Sequence, residues 1–222
     1  MTLVLFDIDG TLLLSGAAGV HAFERAAHSL FGQGGGDIDF AGRLDGENAR
    51  MWIEGAGGVV SKKNESIFKR KVLLEMPRAL VASKGKVLPG VRILIKRLEV
   101  LGISFGLLTG NWERTGQMKL NHFGLKGAFT WGAWADDGET REELFPVAIA
   151  RAKRSGWDGH GPIWVVGDTY RDVEVAKAHG AHSLGVLTGP PYAHSRLVES
   201  NPDVILENLS ETDKVLDILE IC

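Results

Sequence analysis

The sequence predicts an α/β fold: a parallel sheet with helices on both faces, and a helical insertion placed just after the first strand. Three observations carry this reading. Beyond Pro89 and Gly90, short apolar runs alternate with helical patterns of roughly 10–15 residues, the rhythm of strand–helix–strand units. Before that point, residues 14–88 show helical spacing and glycine-rich breaks. Polar residues also recur just after the apolar runs, at the strand ends where such sheets keep their ligands.

Composition sets the limits. The 222 residues are 44% hydrophobic and 24% charged, enough for one large domain or a domain with a smaller insert. A net charge of −3 advertises no polyanion-binding surface. Cys222 is the only cysteine, so a disulfide scaffold is excluded and a reducing, cytoplasmic setting fits. No apolar run approaches the ~20 residues of a membrane helix. Asp7 and Asp9 interrupt the first apolar stretch too soon for a signal peptide. The expectation is a soluble cytoplasmic protein with no nucleic-acid or membrane partner.

Taken in order, Leu3–Phe6 is an apolar run bounded by Asp7 and Gly10, which reads as a buried strand ending in a loop. Val20, Phe23, Ala27, Leu30 and Phe31 then recur at helical spacing, with Ser15 placed to cap the helix. A glycine-rich break at 32–36 follows, then a helix over 47–54, a second break at 55–58, and a charged helix from about Asn64 that Pro77 should interrupt or kink. In the second part, helices over 91–101, 113–123, 142–155 and 171–179 alternate with strands over 103–108, 128–131, 163–166, 183–187 and 204–206. The expected division is an α/β core of residues 1–13 and 89–222, and a helical cap of residues 14–88. The cap segment holds 11 basic and 8 acidic residues, leaving 14 and 20 for the core. Solvated helix faces are the simpler account of that imbalance. An acidic core suiting a divalent cation and a basic insert suiting an anion would give the same numbers.

Four strand ends carry chemistry. In Asp7-Ile8-Asp9-Gly10-Thr11, side chains two apart on extended backbone point the same way, so both aspartates can face one reacting centre. One can attack phosphorus while the other trades protons. By itself the pair also fits two solvated turn aspartates. Thr109, Gly110 and Asn111 follow an apolar strand and open a helix, an arrangement suited to an anion and equally to a simple N-cap. Asp168 and Asp172 lie four apart where a helix begins, offering hard oxygen ligands for magnesium or ordinary complements to the helix dipole. Arg141 heads the helix before Asp168, a place unfavourable for a cation unless it faces an anion such as Asp7 or a phosphate; a solvated surface arginine is the other reading. All four fall in order at strand ends of one sheet.

Together these motifs resemble the haloacid dehalogenase superfamily. Asp7–Thr11 matches its DxDGT motif, Thr109 its apolar strand ending in Thr or Ser, and Asp168 with Asp172 its GDxxxD motif. Arg141 stands 27 residues before Asp168, where the family's third-motif lysine falls. The resemblance spans the chain and is greatest to the phosphoglycolate-phosphatase-like branch with a small helical cap, which the segments 15–19 and 42–45 also match. It implies a three-layer Rossmann-like core with an inserted α-helical cap domain, and a Mg²⁺-dependent phosphatase acting on a small phosphomonoester, phosphoglycolate or similar, through an aspartyl-phosphate. By the same resemblance Asp7 is the nucleophile and Asp9 the general acid and base, while Thr109 and Arg141 grip the phosphoryl oxygens. Backbone N–H groups near Gly10 and Gly110, beside Asn111, help to bind the substrate. From its position alone, Arg43 on a cap loop is placed to meet the leaving group or a substrate carboxylate, or else is a surface arginine. Mg²⁺ is held by Asp7, the Asp9 backbone carbonyl and Asp168, with Asp172 supporting or ligating. The implied partner is a small phosphorylated metabolite, and the implied assembly a monomer or homodimer. A sugar phosphomutase would use the same aspartates, and a non-catalytic phosphate-binding regulator would keep the fold alone.

Three departures stand out. Arginine replaces the commoner lysine at 141, which keeps Arg151 and Lys153 as substitutes. Leu14 stands where many relatives carry Asp, and Tyr170, where they carry a small residue or proline, narrows the expected site. Of the remaining residues, His21 is placed to line the hinge or the surface, and the other histidines lack metal-ligand spacing. Trp112 is placed to border the pocket, whereas Trp131 and Trp134 pack around the third strand. The lysines and arginine at 62–63 and 69–71 read as a solvated helix face.

Overall fold

A computed structural model describes every residue except Asp37, Asp39 and Cys222, so the expectation resting on the cysteine lies outside the described residues. The first apolar run is strand β1 (Leu3–Phe6), buried along its whole length. The chain leaves it through β2 (Leu13–Leu14) into three helices, α1 (Ala18–Phe31), α2 (Asp45–Gly55) and α3 (Lys62–Ala82). It returns through β3 (Lys86–Val87), which pairs antiparallel with β2, so a two-stranded ribbon ties the helical insertion to the sheet. Then come α4 (Val91–Val100), β4 (Ser104–Leu108), α5 (Glu113–His122), β5 (Gly132–Ala133) and α6 (Arg141–Arg154). The chain ends with β6 (Ile163–Gly167), α7 (Tyr170–Ala178), β7 (His182–Val186), α8 (Pro191–Glu199), β8 (Val204–Leu206) and α9 (Thr212–Ile218).

Among the described residues the main sheet has six strands in the order β5-β4-β1-β6-β7-β8, every pair parallel. The chain moves from β1 to one side and then to the other, so the order reverses at β1 and opens a crevice at its carboxyl end. Register sets the height of the strand ends. Phe6 lies beside Leu107 of β4 and Val166 of β6, which brings the residues just after all three strands to one level.

Alternation along β1 makes the three layers. Leu3 and Leu5 pack with Leu144 and Ala148 of α6 and Val175 of α7, whereas Val4 and Phe6 pack on the opposite face with Leu94 and Leu98 of α4 and Val215 of α9. Among the described residues no helix is long and apolar enough to cross a membrane.

Some sequence expectations need correction. The third strand lies at Gly132–Ala133 and not over 128–131, because the pairing with Leu107 and Leu108 is made there. Helix α1 begins after Ala17 in a left-handed conformation, and Ser15 does not cap it. Pro77 does not end α3, which continues to Ala82 because Phe68, Val72, Met76, Ala79 and Leu80 form one buried stripe across the proline. Helices α8 and α9 and the β2–β3 ribbon were not legible.

A second proline sits inside a helix at Pro146 of α6. Lacking an N–H, it leaves the Glu142 carbonyl without its helical donor. His179 supplies a replacement, its Nε2 lying 3.1 Å from that carbonyl while its ring stacks on Phe145 at 4.4 Å. The exposed setting limits the gain to about 1 kcal/mol or less. His179→Ala should therefore lower stability to urea by that amount, and the loss should shrink in a Pro146→Ala background, where the helix regains its own donor. Equal losses in the two backgrounds would show that His179 acts through stacking alone.

Candidate active site

Asp7 leaves β1 at the centre of the crevice. It is buried, and Arg141 Nη2 stands 3.3 Å from its Oδ1. Burial pushes the Asp7 carboxyl up to about 6; Arg141 opposes this, Asp172 adds to it, and a Thr109 hydrogen bond pulls back. Asp168, just past β6, is buried too and accepts from the Thr11 hydroxyl at 3.3 Å. Burial first, then the charges of Asp7 and Asp172, hold its carboxyl well above the usual carboxylate range. Close backbone is what admits this side chain. Gly10 has φ +83°, and a Cβ there would lie 2.2 Å from an Asp168 oxygen.

Asp172 belongs to the first turn of α7. Its Oδ2 accepts from the Thr169 N–H at 3.0 Å and hydroxyl at 2.7 Å, closing a capping box, and its Oδ1 meets Arg141 Nη2. Oxygens of Asp7, Asp168 and Asp172 all lie within 4.8 Å of one another. Arg141, first residue of α6, is buried among them and also donates to the Leu108 carbonyl at 3.2 Å. Burial works against its charge, but Asp172, Asp7 and Asp168 hold its pKa above the ordinary value. The substitutes lie elsewhere: Arg151 pairs with Asp137, and Lys153 is exposed near Gly159.

Asp9 faces the same crevice and is more open, with 36% of its side chain exposed. Three donors hold it. Ser15 donates to Oδ1 at 2.9 Å, and Asn111 Nδ2 and Lys119 Nζ donate to Oδ2 at 3.0 and 2.5 Å. Asn111 Nδ2 also reaches the Thr109 hydroxyl at 3.0 Å. Burial pushes the Asp9 carboxyl up, but the Lys119 charge and these hydrogen bonds outweigh it and leave the group below its ordinary value.

Lys119 was missed by the sequence reading. It is only 6% exposed, donates to Asn111 Oδ1 at 2.6 Å, and keeps its charge because Asp9 and Asp45 offset the cost of burial. A signal existed: Thr115, Gly116 and Leu120 form the buried face of α5, and Lys119 falls on that stripe.

Asp45, known to the sequence only as part of a motif match, opens α2 and docks the insertion onto the loop after β4. Its N–H donates to the Gly110 carbonyl at 2.7 Å, and its Oδ2 accepts from the Trp112 N–H and Thr115 hydroxyl at 2.8 and 2.9 Å. Gly110 is required here, since a Cβ would lie 2.3 Å from the Arg43 carbonyl. Trp112 is buried and stacks on Phe23 of α1 at 5.6 Å. The Gly10 N–H is taken by the Leu13 carbonyl at 2.8 Å. Leu14, Arg43, Gly110 and Asn111 line a cavity of about 430 Å³ above Asp7 and Asp9. Tyr170 does not narrow it; its ring packs under Arg196 at 4.0 Å.

With this geometry in view, residues 4–186 match the family model described as haloacid dehalogenase-like hydrolase. A phosphoglycolate phosphatase of Pseudomonas savastanoi is 27% identical, the match covering 93% of this chain and 76% of that protein. The tyrosine-protein kinase PtkA of Mycobacterium tuberculosis is 25% identical over 99% of this chain and 72% of its own. Among solved structures, a hydrolase from Pseudomonas syringae superposes with a TM-score of 0.74 at 20% identity, covering 98% and 99% of the two chains. The chain belongs to the haloacid dehalogenase-like hydrolase family and is an enzyme of its phosphatase type.

Two measurements test the electrostatics. Burial pushes the Asp45 carboxyl from its ordinary 3.8 up to about 6, with Lys119 and the two donors opposing. Its anion therefore costs stability above pH 6; the cost shrinks as pH falls from about 6 to 3.8 and is absent below that. Asp45→Asn should remove this contribution. The stability difference between wild type and variant in urea, with divalent cations chelated, should move by on the order of 2 kcal/mol in favour of wild type between pH 7 and pH 4.5. Lys119→Met leaves Asp9 and Asp45 without their cation and should cost about 2–3 kcal/mol at pH 7, less than a fully buried pair because Asp9 is partly open.

Proposed function

We propose that the protein is a Mg²⁺-dependent phosphatase that hydrolyses a small phosphomonoester through an aspartyl-phosphate on Asp7. Residues 14–88 act as a cap over a catalytic core of residues 1–13 and 89–222. The observation that carries this reading is the pair of carboxylates, Asp7 and Asp9, opening into one cavity with opposite electrostatic settings.

An Asp7 carboxylate oxygen attacks phosphorus, and the ester's alcohol leaves with a proton from Asp9. Asp9 then accepts a proton from the water that attacks phosphorus, which splits the aspartyl-phosphate and frees Asp7. Lys119 holds Asp9 as an anion, the form needed for that second step; for the first, a singly protonated ester passes its proton to Asp9, which hands it to the leaving alcohol. Thr109 and Arg141 orient the phosphoryl oxygens, with Gly110 and Asn111 forming the wall beside them. The insertion, docked through Asp45, keeps bulk water from the aspartyl-phosphate, and release of product requires it to loosen.

Magnesium fits the residues present. Asp7 and Asp168 offer hard oxygen donors, and the burial and neighbouring negative charge that raise both carboxyls are what a dication would offset. Asp7, Asp168 and the Asp9 backbone carbonyl would hold it, with Asp172 in support. Bound there, it supplies neutralisation of charge on the phosphoryl group. Phosphoglycolate, named for the relative at 27% identity, is the reference ester.

The test is phosphate release from a panel of phosphomonoesters, with Mg²⁺ and with EDTA. Release should require Mg²⁺, and Asp7→Asn should lower kcat by roughly a thousandfold or more while the fold survives. No release from any ester by folded protein, or wild-type turnover by Asp7→Asn, would overturn the reading.

A further inference from the structure

The cavity above Asp7 and Asp9 is larger and more apolar than a two-carbon acid alcohol needs. Its volume is about 430 Å³. Away from the aspartates its walls include the apolar side chains Leu14, Val20, Phe23, Phe40, Met76 and Tyr192, with Arg43 and Lys84 as charged members of the lining. Most of these come from the insertion, and Phe23 and Phe40 lock each other edge to face at 5.2 Å, which makes the wall rigid. Filling such a surface with a small hydrophilic alcohol would leave apolar side chains against trapped water, whereas an apolar body would gain about 25 cal/mol for each Å² it covers.

On the α2 side of this lining one buried polar atom lacks a partner. Asn48 of α2 lines the cavity, is only 1% exposed, and its Oδ1 has no hydrogen-bond partner among the described residues. A buried acceptor without a donor costs free energy, and a ligand that supplies the donor recovers it.

Building on the phosphatase reading, we infer that the substrate is a phosphomonoester whose alcohol has a bulky apolar body, aromatic or branched, bearing a hydroxyl that bonds Asn48. The body lies between α1, α2 and α3, and the phosphate reaches down to Asp7. A hydroxyl can donate or accept, so the match holds for either orientation of the Asn48 amide. Recognition by a buried polar group discriminates strongly, because an alcohol lacking the hydroxyl leaves Asn48 unpaired.

The experiment compares kcat/KM for three esters under Mg²⁺: phosphoglycolate, 1-naphthyl phosphate, and a naphthyl phosphate carrying a ring hydroxyl. The panel of hydroxyl positions on the ring is scanned, since reach decides the contact. Both naphthyl esters should exceed phosphoglycolate by tenfold or more, and the best hydroxylated one should exceed the plain ester by a further tenfold. Asn48→Leu, close in volume, should abolish the second preference and keep the first. Turnover of phosphoglycolate above the naphthyl esters would overturn the inference while leaving the phosphatase reading intact; no turnover of any ester would overturn that reading instead. A hydroxyl preference absent from wild type, or unchanged in Asn48→Leu, would remove Asn48 from recognition.

Discussion

Five carboxylates share a small volume above the sheet, and only two buried cations stand among them. Asp7, Asp45, Asp168 and Asp172 are buried and Asp9 is partly so, while Arg141 and Lys119 are the buried cations of the described residues. Like charges about 4 Å apart repel by ~4 kcal/mol at the effective dielectric of a protein near its surface. The fold must therefore hold these groups against their own repulsion. It does so with backbone. The ends of β1, β4 and β6 fix their heights, Gly10 lets Asp168 approach, and the capping box of α7 consumes one side of Asp172. What remains unbalanced is negative, which is the setting a dication and a phosphate together would complete.

The two cations divide the site into two halves with different jobs. Arg141 serves Asp7 and Asp172, and Lys119 serves Asp9 with Asp45 nearby. Raised and lowered carboxyls in one crevice arise from this division, since burial acts on both aspartates of the first motif and only the partners differ. The insertion is fastened by the same chemistry. Asp45 bonds the loop after β4, and farther out Arg50 and Lys62 pair with Glu139 at 2.9 and 2.8 Å while Lys69 pairs with Asp136. The basic insert and acidic core visible in composition thus meet partly in each other. These outer pairs are half-buried to exposed, so water and salt screen them.

Much of this was legible because strand ends in a parallel sheet are a fixed address. A short apolar run closed by Asp, Thr or Gly-Asp announces both the strand and the polar group it delivers, and Asp7, Thr109, Arg141 and Asp168 are found together as expected. Lys119 was harder to see because a lysine on a helix is ordinarily a surface residue; only its place in the stripe with Thr115, Gly116 and Leu120 marks it. Ser15 misled for a related reason. Its hydroxyl can cap a helix or reach a carboxylate, and the choice depends on Asp9 being brought near by a turn that no local pattern records. Asn48 is similar: its environment is made by three helices that meet only in the folded chain.

Arginine at 141 is the departure from the family's common lysine that the geometry best explains. A lysine ammonium is one compact charge, able to neutralise Asp7 but not to span the groups around it. The guanidinium fork reaches further. Its Nη2 meets Asp7, Asp172 and the Leu108 carbonyl, while Nη1 lies 3.4 Å from the Gly42 carbonyl in the insertion. One side chain thereby ties the end of β4, the start of α7, the Asp7 carboxylate and the insertion to a single rigid plane. The contact with Gly42 couples the orientation of the cation beside Asp7 to the position of the insertion.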